Sequence, residues 1–159
     1  MNDDPSSEVQ RQSNGGCNKQ HWLIAVKHEE EQTAQEIIKT LVADEKIYAF
    51  HEYAPERKCI KPGDLICFEV GKDVVAHAEV ESGPVYRLHY KVEDPVSYPW
   101  VITVKNVHLY FDDPVKFDLA HLDFRPNPRQ CVFNYGLVSA WRLTEHDFRL
   151  LTKSSKQTL

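Results

Sequence analysis

Tyr48, Phe50, His51 and Tyr53 crowd into six positions of the chain, and Arg57, Lys58 and Lys61 follow directly. Tyr90 stands between Arg87 and Lys91, and Trp22 and Trp100 add the largest rings. Flat rings can sandwich a flat heterocycle, at roughly 1–3 kcal/mol per stacked base, while nearby cations hold its phosphates. The spacing therefore nominates Tyr48, Phe50, Tyr90, Trp100 and Trp22 for the faces of a base. Ser82 and Asn134 are nominated for hydrogen bonds to its edge, and Arg57, Lys58 and Lys61 for phosphate. Arg125, Arg129 and Arg142 could extend the basic group. Each nomination has a plainer rival. Alternating aromatics of a strand usually pack inward, which would make Trp22, Phe68 and Trp100 core residues. The cations could equally form an ordinary solvated surface.

Acid–base chemistry has weaker support. His77 with Glu79, or His51 with Glu52, could pair as base and orienting acid, although such pairs are more often surface hydrogen bonds. The eight histidines form no H-x-x-x-H or H-E-x-x-H pair that would hold a metal. No G-x-S-x-G elbow or phosphate-cradling glycine loop occurs among only 6 glycines. Cys17, Cys59, Cys67 and Cys131 have no zinc-ligand spacing, and Cys67, at an alternating strand position, reads as a small core residue. The residues call for no catalytic set, cofactor or metal.

The elements that must position these side chains are legible in the pattern. Residues 1–20 are polar and read as a flexible tail, the domain runs over 21–152, and 153–159 fray. His21 to Lys27 reads as a buried strand. Ala34, Ile37, Ile38, Leu41 and Val42 share one helical face, with Glu29, Glu30 and Glu31 at its positive end. Ile47 to Pro62 reads as a loop. Lys61-Pro62-Gly63-Asp64 turns into a strand, Leu65 to Val70, and Gly71-Lys72-Asp73 turns into a second, Val74 to Val80. In that second strand Val75, His77, Glu79 and Glu81 face one way, and Val74, Ala76, Ala78 and Val80 the other. Ser82-Gly83-Pro84 ends it, and Val85 to Ser97 reads as a mixed loop. Trp100 to Tyr110 is a further strand, broken by Asp112-Asp113-Pro114. Leu119 and Leu122 suit a short helical turn, and one or two short strands are expected between Cys131 and Leu143. Thr144 caps a last helix that docks through Phe148, Leu150 and Leu151.

With 159 residues and 42% hydrophobic content, the chain suits one domain with a modest core. Its net charge of -5 supplies no long-range attraction to phosphate, so a nucleic-acid site must be a local basic patch. No apolar run suggests a signal peptide or membrane span, and a cytoplasmic, reducing location is expected. Strands outnumber helices and Pro/Gly punctuation is frequent, which favours an α+β fold with a mixed or closed sheet flanked by helices.

The order of motifs resembles an EVE domain, of the PUA-like superfamily that also holds the YTH and ASCH domains. The residues that carry the resemblance are His21-Trp22-Leu23-Ile24, Lys61-Pro62-Gly63-Asp64, Ala78 to Pro84, Tyr98-Pro99-Trp100-Val101, Phe124, and Leu143 to Phe148. It spans roughly Trp22 to Leu151. The resemblance implies a PUA-like twisted mixed β-barrel of about five or six strands flanked by helices. It also implies a non-enzymatic binding module that reads a modified nucleobase in DNA or RNA through an aromatic cage. A nuclease or modification enzyme acting in trans would be its partner. Where EVE members usually carry a Trp-Gly pair after the first helix, this chain has Tyr48-Ala49-Phe50-His51. Two other readings remain open at this point: an enzyme acting on a nucleotide or modified nucleoside, and an interaction module with a degenerate pocket.

Overall fold

The computed structural model describes residues 19–54, 58–116, 119–123 and 140–153. The strands are β1 (His21–Ala25), β2 (Ile47–Phe50), β3 (Leu65–Val70), β4 (Asp73–Tyr86), β5 (Trp100–Leu109), β6 (Val115–Lys116) and β7 (Ala140–Leu143). They form one mixed, curled 7-stranded sheet of order β2-β5-β4-β3-β1-β7, with β6 paired to β4. The fold is α+β as expected, with seven strands in place of five or six. β1 runs parallel to β3; the other pairings are antiparallel. No helix among the described residues is long and apolar enough to cross a membrane.

A helix packs on each side of the sheet. The first, α1 (Ala34–Ile37), begins at Thr33, whose hydroxyl accepts the Glu36 N–H while the Glu36 carboxylate accepts the Thr33 N–H. This reciprocal capping sets the start, so Glu29, Glu30 and Glu31 lie ahead of the helix and not in its first turn. From Ile38 to Asp44 the helix widens into π-type turns, closed by the Glu45 N–H on the Thr40 carbonyl. Its buried face is the one expected: Ala34, Ile37, Ile38, Leu41 and Val42, packed with Trp22, Ile24, Ile66, Phe68 and Ile102. The second helix, α2 (Glu145–Leu151), is capped by Thr144, whose hydroxyl accepts the Asp147 N–H at 3.0 Å. Phe148 and Leu151 dock it on Leu23, Cys67 and Leu143, on the opposite face.

Two loop assignments are corrected. Ile47–Phe50 is a strand, because all four residues are buried and pair with β5. A strand covered on both faces has no polar alternation to reveal it. β4 also continues through Ser82-Gly83-Pro84 to Tyr86, bending at register shifts that keep it paired with β5. Gly83 is required there: its φ is +94°, and a Cβ would sit 2.6 Å from the Val101 carbonyl oxygen. The short helical turn is present at Leu119–His121. The strand expectations before Ala140, and Phe124, Cys17 and Cys131, lie outside the described residues.

Asp64 ties the parallel pair together. Its carboxylate is buried and accepts the Gln20 N–H (3.1 Å), the Gln20 amide (2.8 Å), the Trp22 indole N–H (3.0 Å) and the Lys61 N–H (2.9 Å). Gln20 and Trp22 belong to the β1 end, and Lys61 to the turn before β3. Hydrogen bonds to a charged acceptor contribute about 1.5–3 kcal/mol, and donors stranded in a buried place cost more than the bond gained. Asp64→Ala should therefore lower stability to urea unfolding by about 3 kcal/mol, and Asp64→Asn, which keeps one acceptor oxygen, by less. Equal unfolding midpoints for the wild type and Asp64→Ala would contradict this role.

Candidate functional site

Beyond Val26, whose N–H donates to the Glu69 carbonyl at 2.9 Å, the chain leaves the sheet. Residues 27–33 fold back over the start of α1. The Glu29 N–H bonds the Gln32 carbonyl, and His28 Nδ1 accepts the Ala34 N–H. A second irregular segment, 92–98, approaches it. There the Ser97 and Tyr98 N–H groups both donate to the Asp94 carbonyl, and the Ser97 carbonyl accepts from Glu52. The Glu93 carboxylate accepts the Glu31 N–H at 3.2 and 3.3 Å and joins the two segments.

Between these segments, α1 and β2 lies a cavity of about 90 Å³. Ala25, Val26, Ile37, Leu41, Ala49 and Val92 give it an apolar wall. Tyr48 and Tyr98 supply rings, and Lys27, Glu29, Gln32, Glu93 and Asp94 a polar rim. Sites that enclose drug-sized ligands run to roughly 300–1,000 Å³, so this cavity is small and would enclose only part of a ligand.

The ring of Tyr48 is fixed by Phe50, edge-on at 5.4 Å, and by Phe68 at 5.4 Å. Its side chain is only 8% exposed, and its hydroxyl makes no hydrogen bond among the described residues. Burial, then Tyr98 and Glu29, push the acidity of that hydroxyl well above the usual tyrosine range. Tyr98 stands edge-on to the His51 ring at 5.4 Å. Its hydroxyl is also raised, by burial and then by Glu29 and Asp94. Glu29 is raised by burial first, then by Glu93, Asp94 and Glu30. The charges that raise Glu29 share its sign, and the cavity lining carries three carboxylates, Glu29, Glu93 and Asp94, against one ammonium, Lys27.

Only Tyr48 among the nominated ring residues lines this cavity. Phe50, 1% exposed, backs Tyr48 from the core and offers no face to a base. Trp22, 4% exposed, is likewise core; its indole is bound to Asp64 and its ring lies under Arg142 at 5.5 Å. Trp22 and Val26 are separated by about 13 Å of extended chain, so Lys61 beside Asp64 sits at the far end of β1 from the cavity. Lys58 and Lys61 are exposed. Trp100 is half-buried and meets Tyr86 edge-on at 5.4 Å, and Ser82 is exposed and bonded to Thr103. Tyr90 is 76% exposed, stacked on His89 at 4.9 Å with the Lys91 ammonium 5.7 Å from its centroid. Asn134, Arg57, Arg125 and Arg129 lie outside the described residues.

The acid–base pairs also rearrange. Glu79 bonds Asn106 at 3.0 Å and lies 3.9 Å from Lys105, while His77 turns to Tyr110, with Nδ1 3.1 Å from the hydroxyl. A register shift between His77 and Glu79 separates their environments. His51 Nδ1 accepts the Tyr53 N–H. Asp123, His146 and Asp147 bring donor atoms within 4.8 Å of one another, a grouping no sequence spacing announced. The Asp147 carboxylate there already accepts the Asp123 N–H at 2.9 Å.

No family model matches the chain, and no curated protein matches it. Among solved structures it is similar to Rpa0253 from Rhodopseudomonas palustris, solved by NMR. That chain is 15% identical with a TM-score of 0.45, and the match covers 88% of this chain and 95% of that one. It is also similar to the YTH domain-containing protein mmi1, solved with RNA, at 9% identity and a TM-score of 0.46, over 92% of this chain and 90% of that one. Both are weak similarities of backbone, and the chemistry of the site stands on the residues above.

His77 has a measurable signature. It is 6% exposed, and burial, followed by His108, lowers its pKa from 6.5 to about 4. The unfolded chain therefore binds the extra proton first as pH falls. The stability due to neutral His77 is present above pH 6.5 and is lost between 6.5 and about 4, by up to about 3 kcal/mol. Urea unfolding across that window should be steeper in pH for the wild type than for His77→Gln; identical slopes would contradict it.

Proposed function

We propose that the protein is an EVE-type binding module that takes one modified nucleobase of DNA or RNA into the cavity beside Tyr48 and Tyr98. The observation that carries this reading is the buried, rigidly backed Tyr48 side chain, its hydroxyl without a hydrogen bond among the described residues, with a second tyrosine ring lining the same small space. A base inserted there gains stacking and apolar burial, and a hydroxyl ready for its edge. A methyl group on the base would add contact with Ile37, Leu41 and Val92.

The negative rim keeps phosphates out of the cavity itself. The strand on either side of the inserted base would instead follow the exposed surface of residues 86–91. There Tyr86, Leu88 and Tyr90 are exposed beside Arg87 and Lys91. This replaces the nominated phosphate group at Lys58 and Lys61, which lies toward the other end of β1. The module reads and does not transform its ligand in this account; a nuclease or modification enzyme acting in trans would supply the chemistry.

Oligonucleotides of DNA and RNA, unmodified or methylated at adenine or cytosine, should separate by affinity at low salt. Tyr98→Ala should weaken the preferred one by roughly 5–150-fold, the loss of one stacked ring. Equal binding across the panel, or a Tyr98→Ala variant that binds as well as wild type, would remove the reader function.

A further inference from the structure

The sign of the cavity narrows the ligand. Glu29 is half-buried at the rim, and neither its carboxylate nor that of Asp94 has a hydrogen bond or ion pair among the described residues. Glu93 stands beside them; Glu93 and Asp94 are exposed, and Lys27 is the one cation of the lining, so the carboxylates outnumber it three to one. A neutral base draws little from such a field, whereas a cation gains from the carboxylates and from the tyrosine faces together. The Tyr48 hydroxyl is an independent sign that a ligand belongs there. The Tyr48 side chain is nine-tenths buried, its hydroxyl is bonded to nothing described, and Tyr98 and Glu29 line the same space.

We propose that the cavity selects a nucleobase that is cationic at neutral pH, such as an adenine alkylated at N1, over neutral bases. The inference rests on the base-reading function above and names its ligand class. The charge would sit between the Tyr48 and Tyr98 rings, with Glu29 and Asp94 as its counter-ions. A trimethylated ammonium on a peptide would meet the same charges. The exposed rings and cations of residues 86–91, on the segment that also bears Asp94 and Tyr98, favour a polynucleotide.

Calorimetric titration of the full chain at pH 7 tests the proposal with 1-methyladenosine, a cation, its neutral isomer N6-methyladenosine, adenosine and free trimethyllysine. The cationic nucleoside should bind about tenfold more tightly than its neutral isomer. Glu29→Gln combined with Asp94→Asn should weaken the cation about tenfold and the neutral isomer less. If the neutral isomer binds as tightly or more tightly, and Tyr98→Ala abolishes that binding, the charge selection is wrong while the base-reading function stands. If no nucleoside binds, or trimethyllysine alone binds, both fall.

Discussion

A buried carboxylate holds the two halves of this sheet in register. Parallel strands lack a hairpin to align them, and their slanted ladder is slightly less stable per residue than an antiparallel one. Here β1 and β3 are parallel, and the Asp64 side chain gathers donors from Gln20, Trp22 and Lys61 at their common beginning. The same residue's backbone carbonyl accepts the Val80 N–H and brings β4 into the joint. With that end fixed, pairing from His21 with Leu65 to Ala25 with Glu69 determines where β1 runs out. Val26 and the acidic segment after it then emerge beside α1 and β2. The cavity lies at one end of β1 because the clamp lies at the other.

Two kinds of backbone divide the work. The strands and α1 give rigid walls: Tyr48 cannot turn away, since Phe50 and Phe68 press on it from within the core. The segments 27–33 and 92–98 bring charge and the second ring, and the Glu93 carboxylate on the Glu31 N–H connects them. Concentrating like charges around a half-buried Glu29 costs folding energy without stabilising the sheet. A ligand of opposite sign would offset that cost, as the proposed cationic base does.

Much of the scaffold was legible because periodicity reports burial on one face. The apolar positions from Ala34 to Val42 have that one-sided pattern; the hairpin from Leu65 to Val80, buried on both faces, was marked instead by its Pro-Gly and Gly-Lys turns, and the last helix by its Thr144 cap. β2 was hidden because it is covered on both faces. The site was harder to read. Proximity of Tyr48 and Phe50 in sequence suggested a shared cage, but Phe50 is buried as the support of Tyr48. The true neighbours, Glu29 and Tyr98, lie far from Tyr48 along the chain and meet it only through the sheet. Tyr98 stands next to Pro99 and Trp100, a usable signal; the run Glu29 to Glu31 suits a helix start by its charge, but the Thr33 cap places it ahead of the helix.

The most direct test is a two-dimensional NMR map of backbone amide shifts as a methylated nucleoside is added. The account predicts movement concentrated at Val26, Lys27, Tyr48, Ala49 and residues 92–98. Shifts confined to Tyr86, Tyr90 and Trp100, or to the turn at Lys61, with the cavity amides unmoved, would contradict it.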